Sequence, residues 1–279
     1  MELSILQSLL LGLVSGFAEI LPVCAHAHRQ ILLSLFGLES EPVFFRLMIH
    51  MSTVMALHFS CRNHIVRMMR AQRLAAIPKR RRKRPLDTQA LMDFNLLKTT
   101  LIPVILVFAA YARVRYIGNE LVYVAAFLAV NGLILYIPQF LPGSNKESGS
   151  MNRIDGLILG LGGAAGVLPG VSAVGSAISV GSVRGMDLSH AMNLALVINI
   201  PVNIGFVVYD LIDLFTRGMS GFSFTGLIGG IVAAAAVFCG VFFGIRILRK
   251  VMQTIGHHIF AFYSWGAALL AFIFYLTVA

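Results

Sequence analysis

Apolar and polar positions alternate along the chain on a long scale, with hydrophobic runs separated by short polar stretches. A helix needs roughly 20 residues to cross a bilayer. Six runs approach or exceed that length, near 43–60, 95–112, 120–138, 189–212, 224–246 and 257–278. Two further apolar stretches, 3–36 and 154–186, are interrupted in the middle, the first by Pro22 and the second by Leu168-Pro169-Gly170. Proline lacks the amide hydrogen that a helix interior needs and its ring clashes with the preceding turn, so neither stretch reads as one continuous helix. The pattern predicts an all-α polytopic membrane protein with about six transmembrane helices and two re-entrant, broken helix pairs.

The two interrupted stretches resemble each other. Leu11-Gly12-Leu13 precedes Leu21-Pro22-Val23 in one, and Leu159-Gly160-Leu161 precedes Leu168-Pro169-Gly170-Val171 in the other, at an offset of 148 for the glycines and 147 for the prolines. A Gly/Pro-interrupted hydrophobic segment at corresponding positions of both halves points to an inverted-topology repeat with its site at the broken helices. The expected organisation is one integral membrane domain over 1–279, with repeat halves at about 1–140 and 150–279 and a linker at Gly143–Ser150.

Composition agrees: 58% of the 279 residues are hydrophobic and only 12% are charged, which excludes an ordinary soluble domain. The formal net charge is +10, and ten of the 22 basic residues fall between Arg62 and Arg84, where there is no acid. Because this run sits between hydrophobic spans and lacks interleaved aromatics, it reads as a topology determinant and not as a nucleic-acid surface. The positive-inside rule makes 62–94 a cytoplasmic loop that also touches anionic lipid headgroups. Counting crossings onward returns Arg246, Arg249 and Lys250 to the cytoplasmic side and leaves both termini outside. The first broken stretch then dips in from outside and the second from inside, so that their tips meet. Three cysteines in or beside apolar segments indicate no disulfide framework, and the start of the chain lacks the basic region of a cleaved signal peptide.

An ionisable residue in a transmembrane segment is costly and marks a functional site, which singles out Glu19 among Phe17, Ala18, Ile20 and Leu21. Directly after it, Pro22-Val23-Cys24-Ala25-His26-Ala27-His28-Arg29 packs a thiol, two imidazoles and a guanidinium into one break. In extended backbone Cys24, His26 and His28 share a face and, with Glu19, offer metal ligands. The other reading makes His26 or His28 the acid, base or nucleophile on phosphorus and Arg29 the phosphate ligand. His50 and His58 lie eight residues apart on an apolar helix, and one of them is a candidate to face the cavity. In the second half Ser172, Ser176 and Ser179 follow Pro169-Gly170, at the start of a half-helix whose amides suit an anion. Asn199 and Asn203, one turn apart beside Pro201, are placed to face the same cavity.

These residues resemble the undecaprenyl-diphosphate phosphatase family, integral enzymes that remove one phosphate from the C55 polyprenyl diphosphate carrier of bacterial cell-wall synthesis. The similarity runs essentially end to end and includes Leu11-Gly12-Leu13, Glu19-Ile20-Leu21-Pro22-Val23, His28, Phe45 to Leu57, Ile102-Pro103, Leu168-Pro169-Gly170-Val171-Ser172 with Gly175, Ile178-Ser179, Gly185 and Pro201. The resemblance implies a location in the bacterial inner membrane, a polyprenyl diphosphate or related lipid phosphate as substrate, and a magnesium or calcium ion held with the help of Glu19. It implies catalytic roles for Glu19 and His28 and leaves a homo-oligomer open, while the chemistry of the residues themselves makes Cys24, His26, Arg29, Ser172, Ser176 and Asn199 the candidates to bind the substrate. Where family members carry Glu-x-x-x-Glu, this chain has Ser15 and Glu19. The catalytic serine of Pro-x-Ser-Ser-Thr-Gly-His is replaced by Ala25, and the phosphate-binding arginine of Pro-Gly-x-Ser-Arg-Ser-Gly by Ala173. Cys24, His26, Arg29 and Arg184 are the residues at hand to replace the lost groups. Two functions are therefore expected as alternatives: a divergent polyprenyl-diphosphate phosphatase, or a non-catalytic transporter, flippase or binder of a lipid phosphate.

Overall fold

Helix formation begins where the sequence caps it. In a computed structural model, the Ser4 hydroxyl accepts from the Gln7 N–H and the Gln7 side chain accepts from the Ser4 N–H, a reciprocal pair that satisfies two otherwise orphaned amides. Helix α1 (Ile5–Ile20) follows and stops because Pro22 forces the preceding Leu21 into extended backbone. Helix α2 (Ala25–Leu35) resumes after Cys24, whose φ of +62° is the one left-handed non-glycine backbone among the described residues. Then come α3 (Val43–Ala75), α4 (Thr88–Val114) and α5 (Leu121–Tyr136). The second broken pair, α6 (Arg153–Ala164) and α7 (Ala173–Val183), opens with its own capping box of Asn152 and Asp155. The chain closes with α8 (Leu188–Arg217), α9 (Phe224–Thr254) and α10 (Ile259–Val278). The structure describes residues 3–38, 40–114, 120–141, 146, 148–217 and 223–278, so Gly143, Ser144, Asn145 and Glu147 of the expected linker lie outside the described residues.

Among the described residues, six helices are long and apolar enough to cross a membrane: α3, α4, α5 with the 3-10 turn to Phe140, α8, α9 and α10. Each covers a span expected from the hydrophobic pattern, but several are longer. The largest difference is in the basic segment, where α3 runs on through Arg62 to Ala75 and α4 starts at Thr88. Most of the expected 62–94 loop is thus helical. Its Met, Leu, Ala, Gln and Arg content favours helix, and Met68 and Ala71 find a buried face. The short connection is fastened by arginines: Arg67 pairs with Asp87 at 2.5 and 3.2 Å, Asp87 caps the Ala90 N–H, and Arg82 donates to the carbonyls of Ala75 and Ile77 at the end of α3.

Contacts fix the directions of the helices. Gly12 and Gly16 of α1 lie against Ala233 and Val237 of α9, and a Cβ at either position would come within 2.6 Å of a backbone oxygen. Bare glycine lets the two backbones touch, as small-residue interfaces do in membranes. Matching positions advance together, so α1 runs with α9. Likewise α3 runs with α9, since Phe44 meets Gly230 and Ser52 donates to the Ala234 carbonyl. In contrast, Arg46 meets Asp213 and Asp210 while His64 and His190 share Asp93, so α8 runs against α3. Helix α6 follows α4, with Gly156 at Thr99 and Gly160 at Thr100 and Pro103. The first helix of one broken pair therefore points opposite to the first helix of the other.

The breaks meet. The Gly170 N–H donates to the Cys24 Sγ at 3.2 Å, and Pro22 packs at Gly175. Asn131 of α5 serves both: its amide donates to the Pro22 carbonyl at 3.1 Å, and its oxygen accepts from the Ser172 N–H at 2.9 Å. Gly170 has φ +136°, and a Cβ there would lie 2.6 Å from Phe127 and 2.7 Å from the backbone of Leu128, so only glycine fits.

Candidate functional site

A cavity of about 310 Å³ lies where the two breaks face α3, α4 and α8. Ser40, Glu41 and Val43 at the start of α3, with Tyr111 near the end of α4 and Asp213 near the end of α8, place it toward the end of the bundle opposite the arginine-rich end. Among the described residues its wall carries four carboxylates (Glu19, Glu41, Asp210, Asp213), two guanidiniums (Arg29, Arg46) and two imidazoles (His26, His50).

These charges are arranged in pairs. Arg29, only 3% exposed, holds Glu41 at 3.3 Å. Arg46 donates Nε to Asp210 at 2.5 Å and Nη2 to Asp213 at 3.0 Å, and His50 donates Nδ1–H to the other oxygen of Asp210 at 2.6 Å. Taking such groups out of water is tolerated only when they are paired and hydrogen-bonded, and removing one partner from a buried pair costs about 3–5 kcal/mol. Among the described residues Glu19 forms no ion pair. One of its oxygens accepts from the side-chain amides of Asn199 at 3.1 Å and Asn203 at 2.8 Å, which joins the end of α1 to the middle of α8.

The expected site residues fall into three groups. Glu19, Cys24, His26, Arg29 and Ser172 line the cavity, as do Ala25 and Ala173, the two alanines at altered family positions. Asn199 acts through Glu19, and the Ser172 hydroxyl is used to cap α7 by accepting from the Gly175 N–H. The rest are elsewhere. His28 donates Nδ1–H to the Cys24 carbonyl and accepts at Nε2 from the Tyr263 hydroxyl, both at 2.7 Å, and its ring stacks on Tyr263 outside the cavity lining. The reason is local: 25–35 is helical, so Cys24, His26 and His28 do not share the face that extended backbone would give them. Ser15 bonds the Leu11 carbonyl, and Ser176 and Ser179 are buried with no hydrogen-bond partner for their hydroxyls among the described residues. Arg184 pairs with Asp155 and ties the end of α7 to the start of α6, so it brings no charge to the cavity. Of the two candidate histidines on α3, His50 faces the cavity and His58 is exposed.

Sequence reasoning passed over Arg46, Glu41, Asp210 and Asp213. Arg46, Asp210 and Asp213 carry the signal that selected Glu19, a charge inside an apolar helix. A magnesium or calcium ion asks for several hard oxygen donors. Among the described residues no three His, Cys, Asp or Glu side chains gather to hold a metal, and the cavity carboxylates are engaged by arginine, histidine or amide donors.

Six spanning helices, two broken pairs that meet, and a charged cavity beside the meeting point define a multi-pass membrane protein with an enclosed polar site. Residues 8–270 match the family described as bacitracin resistance protein BacA, and the chain belongs to that family. It is 29% identical over 282 residues to an undecaprenyl-diphosphatase of Methanobrevibacter smithii, covering 99% of both chains. It is 28% identical over 280 residues to undecaprenyl-diphosphatase 1 of Shouchella clausii, covering 98% of this chain and 97% of the relative. A Nocardioides undecaprenyl-diphosphatase is 29% identical over 270 residues, 96% of each chain.

Proposed function

We propose that the cavity takes the head group of a polyprenyl diphosphate and that the protein releases its terminal phosphate. One observation carries this reading: the positions where the family's serine and arginine are replaced, Ala25 and Ala173, line the same cavity as Arg29, Arg46 and two imidazoles. A diphosphate in a low-dielectric site needs cationic compensation, and the two guanidiniums supply it from α2 and α3 instead of from the second break. The opposed directions of the broken pairs support an inverted repeat with halves at about 1–140 and 150–279. With the arginine-rich end cytoplasmic, the cavity faces the outer side of the cell membrane.

A second reading keeps the cavity without the chemistry, as a transporter or binder of a lipid phosphate. The observation in its favour is that both arginines already hold carboxylates. The deciding experiment is phosphate release from farnesyl or C55 polyprenyl diphosphate by the purified full chain. Hydrolysis predicts release by the wild type. It also predicts a loss on the order of a hundredfold in Arg29→Gln/Glu41→Gln, which removes the cation without stranding a buried carboxylate. A silent wild type in which Ala173→Arg gains release would overturn the hydrolase reading and favour transport.

A further inference from the structure

Within the hydrolase reading, on which this inference rests, the lost serine and carboxylate leave the attacking group without a base. We propose that His50 is the general base of this site and that Asp210 positions it. The ring is fixed from three sides. Nδ1 lies 2.6 Å from Asp210 Oδ2, the ring stacks on Phe206 with centroids 5.0 Å apart, and Asp210 is itself held by Arg46 through its other oxygen. A carboxylate can only accept here, so Nδ1 carries the proton and Nε2 is the basic nitrogen, left for a ligand in the cavity that the ring lines. A nucleophile or water activated by a base that is oriented by a third group is the arrangement by which catalytic triads are recognised, whatever the fold.

The neighbours fit the task. Asp210 is 2% exposed and stabilises the imidazolium that forms when His50 takes a proton. His26 and Arg29 from α2 and Arg46 from α3 line the same wall as His50, with Arg29 held by Glu41 and Arg46 by Asp210 and Asp213. Asp213 shares Arg46 with Asp210. In the step itself, a water oxygen attacks the terminal phosphorus and its O–H proton passes to His50 Nε2. The bond from that phosphorus to the bridging oxygen breaks, its electron pair leaving with the polyprenyl monophosphate. Inorganic phosphate is the second product, and the imidazolium returns its proton to solvent.

The test is the pH–rate profile of phosphate release from farnesyl diphosphate by the full chain in detergent, for wild type, His50→Gln, His50→Ala, Asp210→Asn and His26→Gln. Removing a general base lowers kcat by about a hundredfold to ten-thousandfold, so His50→Gln is expected to fall in that range with KM nearly unchanged and to lose the acidic limb of the profile. Imidazole is expected to restore part of the activity of His50→Ala, a rescue that a merely structural histidine would not show. Asp210→Asn should displace the acidic limb and lower kcat by about tenfold or more. Release by His50→Gln within about threefold of wild type, or loss of the limb in His26→Gln instead, would overturn the role of His50 alone. Absence of release from wild type at every pH would overturn the hydrolase reading and this inference with it.

Discussion

The first break brings Cys24, His26 and Arg29 to the cavity wall, whereas the second brings Pro169, Ser172 and Ala173. Both end a helix at a proline, both turn within a few residues, and both are held by Asn131. The first break tolerates a side chain in left-handed backbone at Cys24; the second accepts only glycine at 170, where the chain passes against α5. The difference separates two jobs that a symmetric scaffold does not force together. Shape needs both breaks, while charge among the described residues enters from Glu19 and Arg29 of the first broken pair, from Glu41 ahead of α3, and from the facing helices α3 and α8. The second break therefore forms its half of the wall with alanine at 173.

Three substitutions or conditions sharpen that contrast. Gly170→Val has the largest expected effect, because its Cβ would meet the backbone of Leu128 in a conformation that valine does not adopt. No monodisperse protein should survive size-exclusion chromatography after detergent extraction, and a well-folded variant would show that the second break is looser than described. Asn131→Ala comes next: it leaves the buried Pro22 carbonyl and Ser172 amide unpaired, at about 1–3 kcal/mol for each stranded group. Thermal denaturation in detergent should register that loss.

The smallest effect is a pH response confined to the support of the first break. Phe260 packs on Ala18, Val23 and Ala25, and its amide caps onto the carbonyl of His257 in the turn before α10. Burial, with His258 alongside, lowers the His257 pKa to about 4. A histidine titrating lower in the folded than in the unfolded state favours folding while neutral. Stability is then full above about pH 6.5, falls as the pH drops from there toward 4, and levels off below, losing at most about 3 kcal/mol at 1.36 kcal/mol per pKa unit. Melting temperatures measured from pH 8 to pH 4 should show this slope in wild type and a shallower one in His257→Gln.

Much of the fold was legible because its signals are local. Runs of apolar residues, Pro22 and Pro169-Gly170 act over a few residues, and the helices begin and end near them. Glu19, His26 and Arg29 were legible for a similar reason, being polar groups in an apolar setting. The rest of the site depends on partners 160 and 164 residues apart, the His50–Asp210 and Arg46–Asp210 bonds, and no spacing rule connects α3 to α8 over that distance. His28 lies away from the cavity for the opposite reason: its motif is local, but the helical turn it sits on aims the ring at Tyr263. The arginine-rich segment was legible as charge and illegible as helix, since polarity alone does not end a helix that has a buried face at Met68 and Ala71.

Asn131 has a consequence beyond the bonds it makes. One amide group reads the position of both breaks at once, donating to the first and accepting from the second. Whatever displaces the backbone at Pro22 therefore weakens the seat of Ser172, and whatever displaces Ser172 weakens the seat of Pro22 to the same degree, because an energetic coupling between two places is reciprocal. The two breaks are in that sense on one balance, with a single side chain of α5 as its fulcrum.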